Sequence, residues 1–146
     1  MRGRLAARGD PRRFGAPRPA PGICLVITAR LECPPGGIAM EPVALTTLRT
    51  QHMMAAIRAQ DHATALASAQ AVTKGGIALV EITFTVPEAP RVMAALAGTE
   101  GMVVGAGTVL TADQCRAALD AGARFIVAPN LSLEVAKVAL AGGAMY

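Results

Sequence analysis

The sequence predicts a parallel β/α fold of the barrel type, represented by about four strand–helix units and the start of a fifth strand. Three observations carry this reading. Glycines at Gly75-Gly76, Gly98, Gly122 and Gly142-Gly143 each follow a helix-like segment, about one strand plus one helix apart. Apolar runs end in polar groups that lead straight into helix starts, as in Val80-Glu81-Ile82-Thr83-Phe84-Thr85-Val86-Pro87 and Gly105-Ala106-Gly107-Thr108-Val109-Leu110. Hairpin turn signals are missing between the runs, which argues for parallel strands joined by helices.

The first 39 residues stand apart. Of the 146 residues, these hold seven of the fourteen Lys and Arg, all Arg, against Asp10 and Glu32. They also hold six of the ten prolines and six of the fifteen glycines. No hydrophobic periodicity organises them, so residues 1–39 read as a disordered tail. An over-extended start, with the native protein opening at Met40, explains this better than a targeting peptide. The apolar run Ile23–Ile27 is short for a signal core, and the tail has no Ser. Residues 40–146 carry seven basic and eight acidic groups, a near-neutral balance that gives no support for a nucleic-acid surface. Cys24, Cys33 and Cys115 form no C-x-x-C pair and no disulfide framework. A reduced, cytoplasmic setting is therefore expected, and no apolar run reaches the length of a membrane span.

From Met40 the elements follow in order. A short helix at 42–51, with Leu45 and Leu48 on one face, precedes a strand at 53–58. Asp61 caps an Ala-rich helix running to Lys74. The second strand, 78–84, leads to a helix whose capping box is Thr85 with Glu88. The third, 102–108, leads to a helix capped by Thr111 with Gln114. The fourth, 124–129, leads to a helix capped by Ser132 or Asn130. Gly142-Gly143 then introduces Ala144-Met145-Tyr146, the start of a fifth strand. Glycine past each helix suits the left-handed C′ position.

Alternation assigns the faces. Val80, Ile82 and Phe84 point to the helices, and Leu79, Glu81 and Thr83 point the other way. Met54, Ala56 and Arg58 share the inner face, as do Val104, Ala106 and Thr108, and Phe125, Val127 and Pro129. A face that is apolar at the bottom and polar or special at the top is what a β/α barrel uses for chemistry. Four units and a stub make half of an eightfold barrel, with open edges and an uncovered inner layer. A truncated chain is the expectation, and an assembling half barrel is the competing account.

Glu81 is the leading catalytic candidate, because a carboxylate on the inner face of a central apolar strand is costly unless paired or used. Desolvation would raise its pKa toward the range of proton transfer. An ion pair with Arg58 is the structural alternative. Arg58 at the first strand's end can grip an anion. Thr83, Thr85 and Thr108 can donate to a carboxylate or carbonyl, although β-propensity or capping also explains them, capping best for Thr85. Pro129 fixes the backbone after the fourth strand. The dinucleotide pattern G-x-G-x-x-G fails at Leu110. His52 and His62 have no carboxylate at ligand spacing, so no metal site is expected. Lys74 and Lys137, the two lysines, occupy helix positions expected to be solvated. Cys115 reads as an apolar filler in a helix.

With these residues in place, about residues 44–146 resemble the family of 2-keto-3-deoxy-6-phosphogluconate (KDPG) aldolase and 4-hydroxy-2-oxoglutarate (KHG) aldolase. The resemblance rests on Ala56-Ile57-Arg58-Ala59, Gly75-Gly76, Glu81 through Pro87, Gly105 through Leu110, and Phe125-Ile126-Val127-Ala128-Pro129-Asn130. It implies a class I aldolase on a (β/α)8 TIM barrel, metal-free, without a cofactor, and trimeric at full length. The partner implied is a small keto-acid or phosphosugar substrate, with no nucleic acid and no membrane. By position Glu81 matches the proton-shuttling glutamate, Thr108 the threonine at the pyruvyl carboxylate, Pro129 a pocket proline and Arg58 the arginine of the anionic pocket. Some members carry Arg where this chain has Thr85. The Schiff-base lysine of the family sits in a Phe-Lys-(Phe/Leu)-Phe-Pro type motif that this chain does not contain, so the chain by itself is expected to be inactive. An aldolase for 2-keto-3-deoxy-6-phosphogalactonate and a non-catalytic anion-binding half barrel are the alternatives.

Overall fold

A computed structural model describes Ile23–Ile27 and residues 42–146. The elements in chain order are β1 (Ile23–Ile27), α1 (Val43–Gln51), β2 (Met54–Ile57), α2 (His62–Lys74), β3 (Leu79–Thr83), α3 (Ala89–Leu96), β4 (Val103–Gly107), α4 (Ala112–Asp120) and α5 (Leu133–Ala141). The strands β2, β3 and β4 are parallel neighbours in sequence order. Single parallel bridges then carry the sheet on, from Ala106 to Ile126 and from Phe125 to Met145. The expected fourth strand is thus reduced to bridges at Phe125 and Ile126, although the Val127 N–H still donates to the Ala106 carbonyl at 2.8 Å.

Winding on one side decides the architecture. Side chains of α2 (Ala65, Ala69), α3 (Val92, Met93, Leu96), α4 (Cys115, Ala118) and α5 (Val135, Ala139) join one core cluster with Val80, Ile82, Val104, Ala106 and Ile126. All four crossover helices therefore pack on the same face of the sheet, as a barrel winds, whereas a doubly wound sheet would split them between two faces. Cys115 is fully buried there, and burial pushes its thiol pKa up, in keeping with a filler.

The opposite face is closed at one end by α1. Ala44 packs with Leu79 and Phe125, and Leu48, Met54, Val103, Val127 and Met145 surround them. Gln51 locks this helix in place: its side-chain amide donates to the Gly76 carbonyl at 3.2 Å and accepts from the Ala78 N–H at 2.9 Å. Leu79 and Val103 begin their strands, so α1 covers the amino-terminal end of the inner face and leaves the carboxyl end for other use.

Helix boundaries follow the chain's own chemistry. Asp61 accepts from the Thr64 N–H at 2.8 Å and Thr111 from the Gln114 N–H at 3.2 Å, as expected of N-caps. Ser132, not Asn130, caps α5 through the Val135 N–H. At the far ends Gly76, Gly98, Gly122 and Gly143 adopt φ of 96°, 81°, 91° and 71°, the left-handed region in which a Cβ is disfavoured.

Three further expectations are corrected. The Thr85–Glu88 capping box does not form: Glu88 is itself the N-cap of α3, at φ 54° with no side-chain cap bond, and the Thr85 hydroxyl bonds Thr83 instead. The prolines at 87 and 90 constrain the entry to this helix and leave Glu88 as the residue that turns it. The run Ile23–Ile27, placed within the disordered tail, forms a strand antiparallel to β2, with Ile27 opposite Met54. A short run rich in β-branched residues can satisfy the backbone groups of an edge strand. The rest of the predicted tail, including Cys33 and Met40, lies outside the described residues. The third correction concerns the inner face of β4.

Candidate active site

Register fixes which side chains share the inner face. Glu81 stands opposite Ala56 on β2 and Gly105 on β4, and Thr83 stands opposite Gly107. The inner face of β4 is therefore Val103, Gly105 and Gly107, one residue out of step with the expected Val104, Ala106 and Thr108. Val104 and Ala106 belong to the helix-side core. The apolar residues of β4 face the larger core, and the two glycines face inward because that side has no room for more. A Cβ at Gly105 would fall inside the Phe125 ring. One at Gly107 would overlap the Glu81 carboxyl group, with Glu81 Cγ 2.7 Å away.

Glu81 thus lies in a slot that Gly107 leaves open. It is 5% exposed, in the middle of a strand buried at all five positions. Its carboxylate accepts no hydrogen bond from any described residue, and burial pushes its pKa up from the ordinary 4.5, partly opposed by the positive charge of Arg58. Arg58 is exposed and acts through its field: no ion pair joins it to Glu81, so the alternative of a structural salt bridge does not hold. A buried, unbonded carboxyl group whose pKa is pushed up by desolvation is a candidate for taking up and releasing a proton.

This environment has a measurable signature. The native state holds the Glu81 proton to higher pH than the unfolded chain does. The associated stability is complete below the unfolded pKa and is lost as pH rises through the raised native value. The urea midpoint of the parent, compared with that of Glu81→Gln from pH 4 to 8, is expected to fall relative to the variant across that window. A difference that stays flat, or runs the other way, would rule out a desolvated carboxyl group.

The other expected residues distribute unequally. Thr83 is fully buried, and its hydroxyl bonds the Ile57 carbonyl at 3.1 Å and Thr85 Oγ1 at 2.6 Å. It has no proton left for a substrate, and the role of direct donor does not fit it. Thr85 is exposed beside it. Thr108 follows Gly107 at φ 57°, a left-handed conformation that is rare for a β-branched residue, and its hydroxyl has no partner among the described residues. That turn ends the alternation of β4 at Thr108. The Val109 N–H then donates to the Val127 carbonyl at 3.1 Å and brings the Thr108 turn beside the segment that leads to exposed Pro129.

A mainly apolar cavity of about 530 Å³ adjoins this face, lined by Leu48, Met54, Ile126, Val127, Ala128, Asn130, Leu131, Met145 and Tyr146. Glu81 is not part of its lining. The Tyr146 hydroxyl accepts from the Ser132 N–H at 3.1 Å, which ties the end of the described chain to the loop before α5. Lys74 and Lys137 are exposed on α2 and α5. Gly107 as a slot for Glu81 escaped the sequence reading, although a Gly-x-Gly at the strand end, next to a strand carrying an inward carboxylate, was its visible signal.

Parallel strands wound on one face, with a buried carboxylate on the inner face, define a β/α domain of the enzymatic barrel type. The chain belongs to the KDPG and KHG aldolase family, a family of carbon–carbon lyases, whose family model matches residues 45–146. It is 34% identical over 96 residues to 2-dehydro-3-deoxy-phosphogluconate aldolase of Zymomonas mobilis, covering 66% of this chain and 46% of that protein. It is 35% identical over 101 residues to the aldolase of the same name from Treponema pallidum, covering 68% and 47%. Among solved structures, 2-keto-3-deoxy-6-phospho-gluconate aldolase from Zymomonas mobilis superposes with a TM-score of 0.53 at 38% identity, over 58% of this chain and 41% of that one. KDPG aldolase from Legionella pneumophila, solved with pyruvate captured at low pH as a covalent carbinolamine intermediate, gives a TM-score of 0.54 at 31% identity, over 60% and 43%. The chain spans less than half the length of these relatives. No helix among the described residues is long and apolar enough to cross a membrane.

Proposed function

We propose that residues 40–146 form the amino-terminal part of a (β/α)8 class I aldolase and supply its proton-transfer carboxylate. The substrates are KDPG, cleaved to pyruvate and glyceraldehyde 3-phosphate, and KHG, cleaved to pyruvate and glyoxylate. The observation that carries the reading is Glu81: buried, unbonded, raised in pKa and seated over Gly107, the last residue of β4. In this reading Glu81 moves the proton that retro-aldol cleavage takes from the substrate hydroxyl and the proton that pyruvate regains. Arg58 draws the anionic end of the substrate, Thr108 offers its unpartnered hydroxyl to the pyruvyl carboxylate, and Pro129 walls the pocket. The Schiff-base nucleophile is a lysine in the remaining barrel of a full-length, trimeric, cytoplasmic enzyme, since both lysines here stand on exposed helix faces.

Borohydride trapping of radiolabelled pyruvate tests this. The chain alone is expected to take up no label. A chimera in which residues 45–146 replace the matched segment of the Zymomonas mobilis enzyme is expected to take up about one equivalent per protomer. Label fixed on this chain alone would move the nucleophile to Lys74 or Lys137. A folded chimera that fixes none would sink the assignment.

A further inference from the structure

We infer that Thr83 and Thr85 are positioning residues, a two-hydroxyl latch that fixes the carboxyl end of β2 and so sets where Arg58 stands relative to Glu81. A threonine hydroxyl owns one proton. Thr83 spends it on the Ile57 carbonyl, so the proton in the 2.6 Å bond between the two threonines comes from Thr85. The latch is directional: Thr85 donates to Thr83, and Thr83 donates to the last residue of β2.

Its place in the sheet gives it a purpose. The backbone pairing of β2 with β3 ends at Ile57 opposite Ile82. The Thr83 side chain, one residue further along β3, ties back to Ile57 at the point where the chain leaves the sheet. Arg58 is the next residue. Its exposed guanidinium makes no ion pair with Glu81, yet it is the one charged group whose field acts on that carboxylate among the described residues. An arginine held by no salt bridge is located mainly by its backbone root, and the latch holds that root. Thr83 is wholly buried and sits opposite Gly107, whose missing side chain makes the Glu81 slot, so one pair of facing residues serves both charges.

The consequence for catalysis rests on the aldolase reading, but the coupling itself does not. The test follows the Glu81 carboxyl carbon by NMR titration of the full 146-residue chain. Arg58→Gln is expected to raise the Glu81 pKa. Thr83→Val is expected to raise it too, changing the acid dissociation constant about twofold or more. In Arg58→Gln/Thr83→Val the second change is expected to add nothing, because no charge is left to misplace. Thr83→Ser keeps the hydroxyl and should titrate like the parent. Thr85→Val, at an exposed position, should shift Glu81 in the same direction by a smaller factor, and it keeps the test decisive if Thr83→Val does not fold. Overturning results are a Glu81 titration unmoved by Thr85→Val and Thr83→Val, or a Thr83→Val effect that persists undiminished without Arg58. Added pyruvate separates the two readings. Coupling in the 146-residue chain, with no pyruvate-induced shift at Glu81 or Thr108 in the chimera that supplies the rest of the barrel, would fail the substrate assignment and leave the latch standing.

Discussion

Glu81→Gln, introduced into the chimera that carries residues 45–146 in the Zymomonas mobilis enzyme, is expected to lower kcat for KDPG cleavage by about 10²–10⁴-fold. The substitution is close to isosteric, so the slot over Gly107 stays filled. The Glu81 carboxylate accepts no hydrogen bond from a described residue, so none of those bonds is lost with it. What disappears is the ability to hold a proton and give it back. Because that ability acts in the transition state, KM should change little while kcat and kcat/KM fall together. Borohydride trapping should still label the variant, since attack by the lysine does not require the Glu81 slot to be rebuilt. A variant within threefold of the parent in kcat would make Glu81 a buried structural acid, and the proton shuttle would have to be sought elsewhere.

The legible parts of this fold were those with a local cause. Asp61, Thr111 and Ser132 cap helices through N–H groups three residues away, and the glycines past the helices take φ values only glycine tolerates easily. Glu81 was visible because Leu79, Glu81 and Thr83 alternate cleanly with Val80 and Ile82 on a fully buried strand. What was misread depended on partners distant in sequence. The inner face of β4 is set by its register with Glu81 and by the Phe125 ring, twenty or more positions away from Gly105, whereas alternation alone favours apolar Val104 and Ala106 inward. The Thr83 hydroxyl goes to a carbonyl 26 residues earlier, a preference that leaves no trace in periodicity. The pairing of Ile23–Ile27 with β2 likewise follows from an edge that exists only once the sheet has formed.

Gly107→Ala is expected to destabilise the chain by about 1–3 kcal/mol through overpacking, and Glu81→Ala in the same molecule is expected to recover most of that loss. The backbone at Gly107 is not in the left-handed region, so alanine meets no conformational penalty there, and the cost is the collision. The added Cβ overlaps the Glu81 carboxyl group and lies 2.7 Å from Cγ, so the acid must rotate about a bond near its root. No rotation at the far end of the side chain suffices. Gly105→Ala provides the control. It is two residues away on the same face, but its Cβ would strike the Phe125 ring, which is fully buried against Ala44 and Leu79. Its loss should be of similar size and indifferent to Glu81→Ala. Urea denaturation of the parent, the three single variants and the two doubles measures both cycles. Coupling at Gly107 and none at Gly105 would establish that the second glycine of the motif exists to seat the carboxylate. Equal indifference at both positions would show that Glu81 yields freely, in which case the slot does not hold it in a fixed pose for proton transfer.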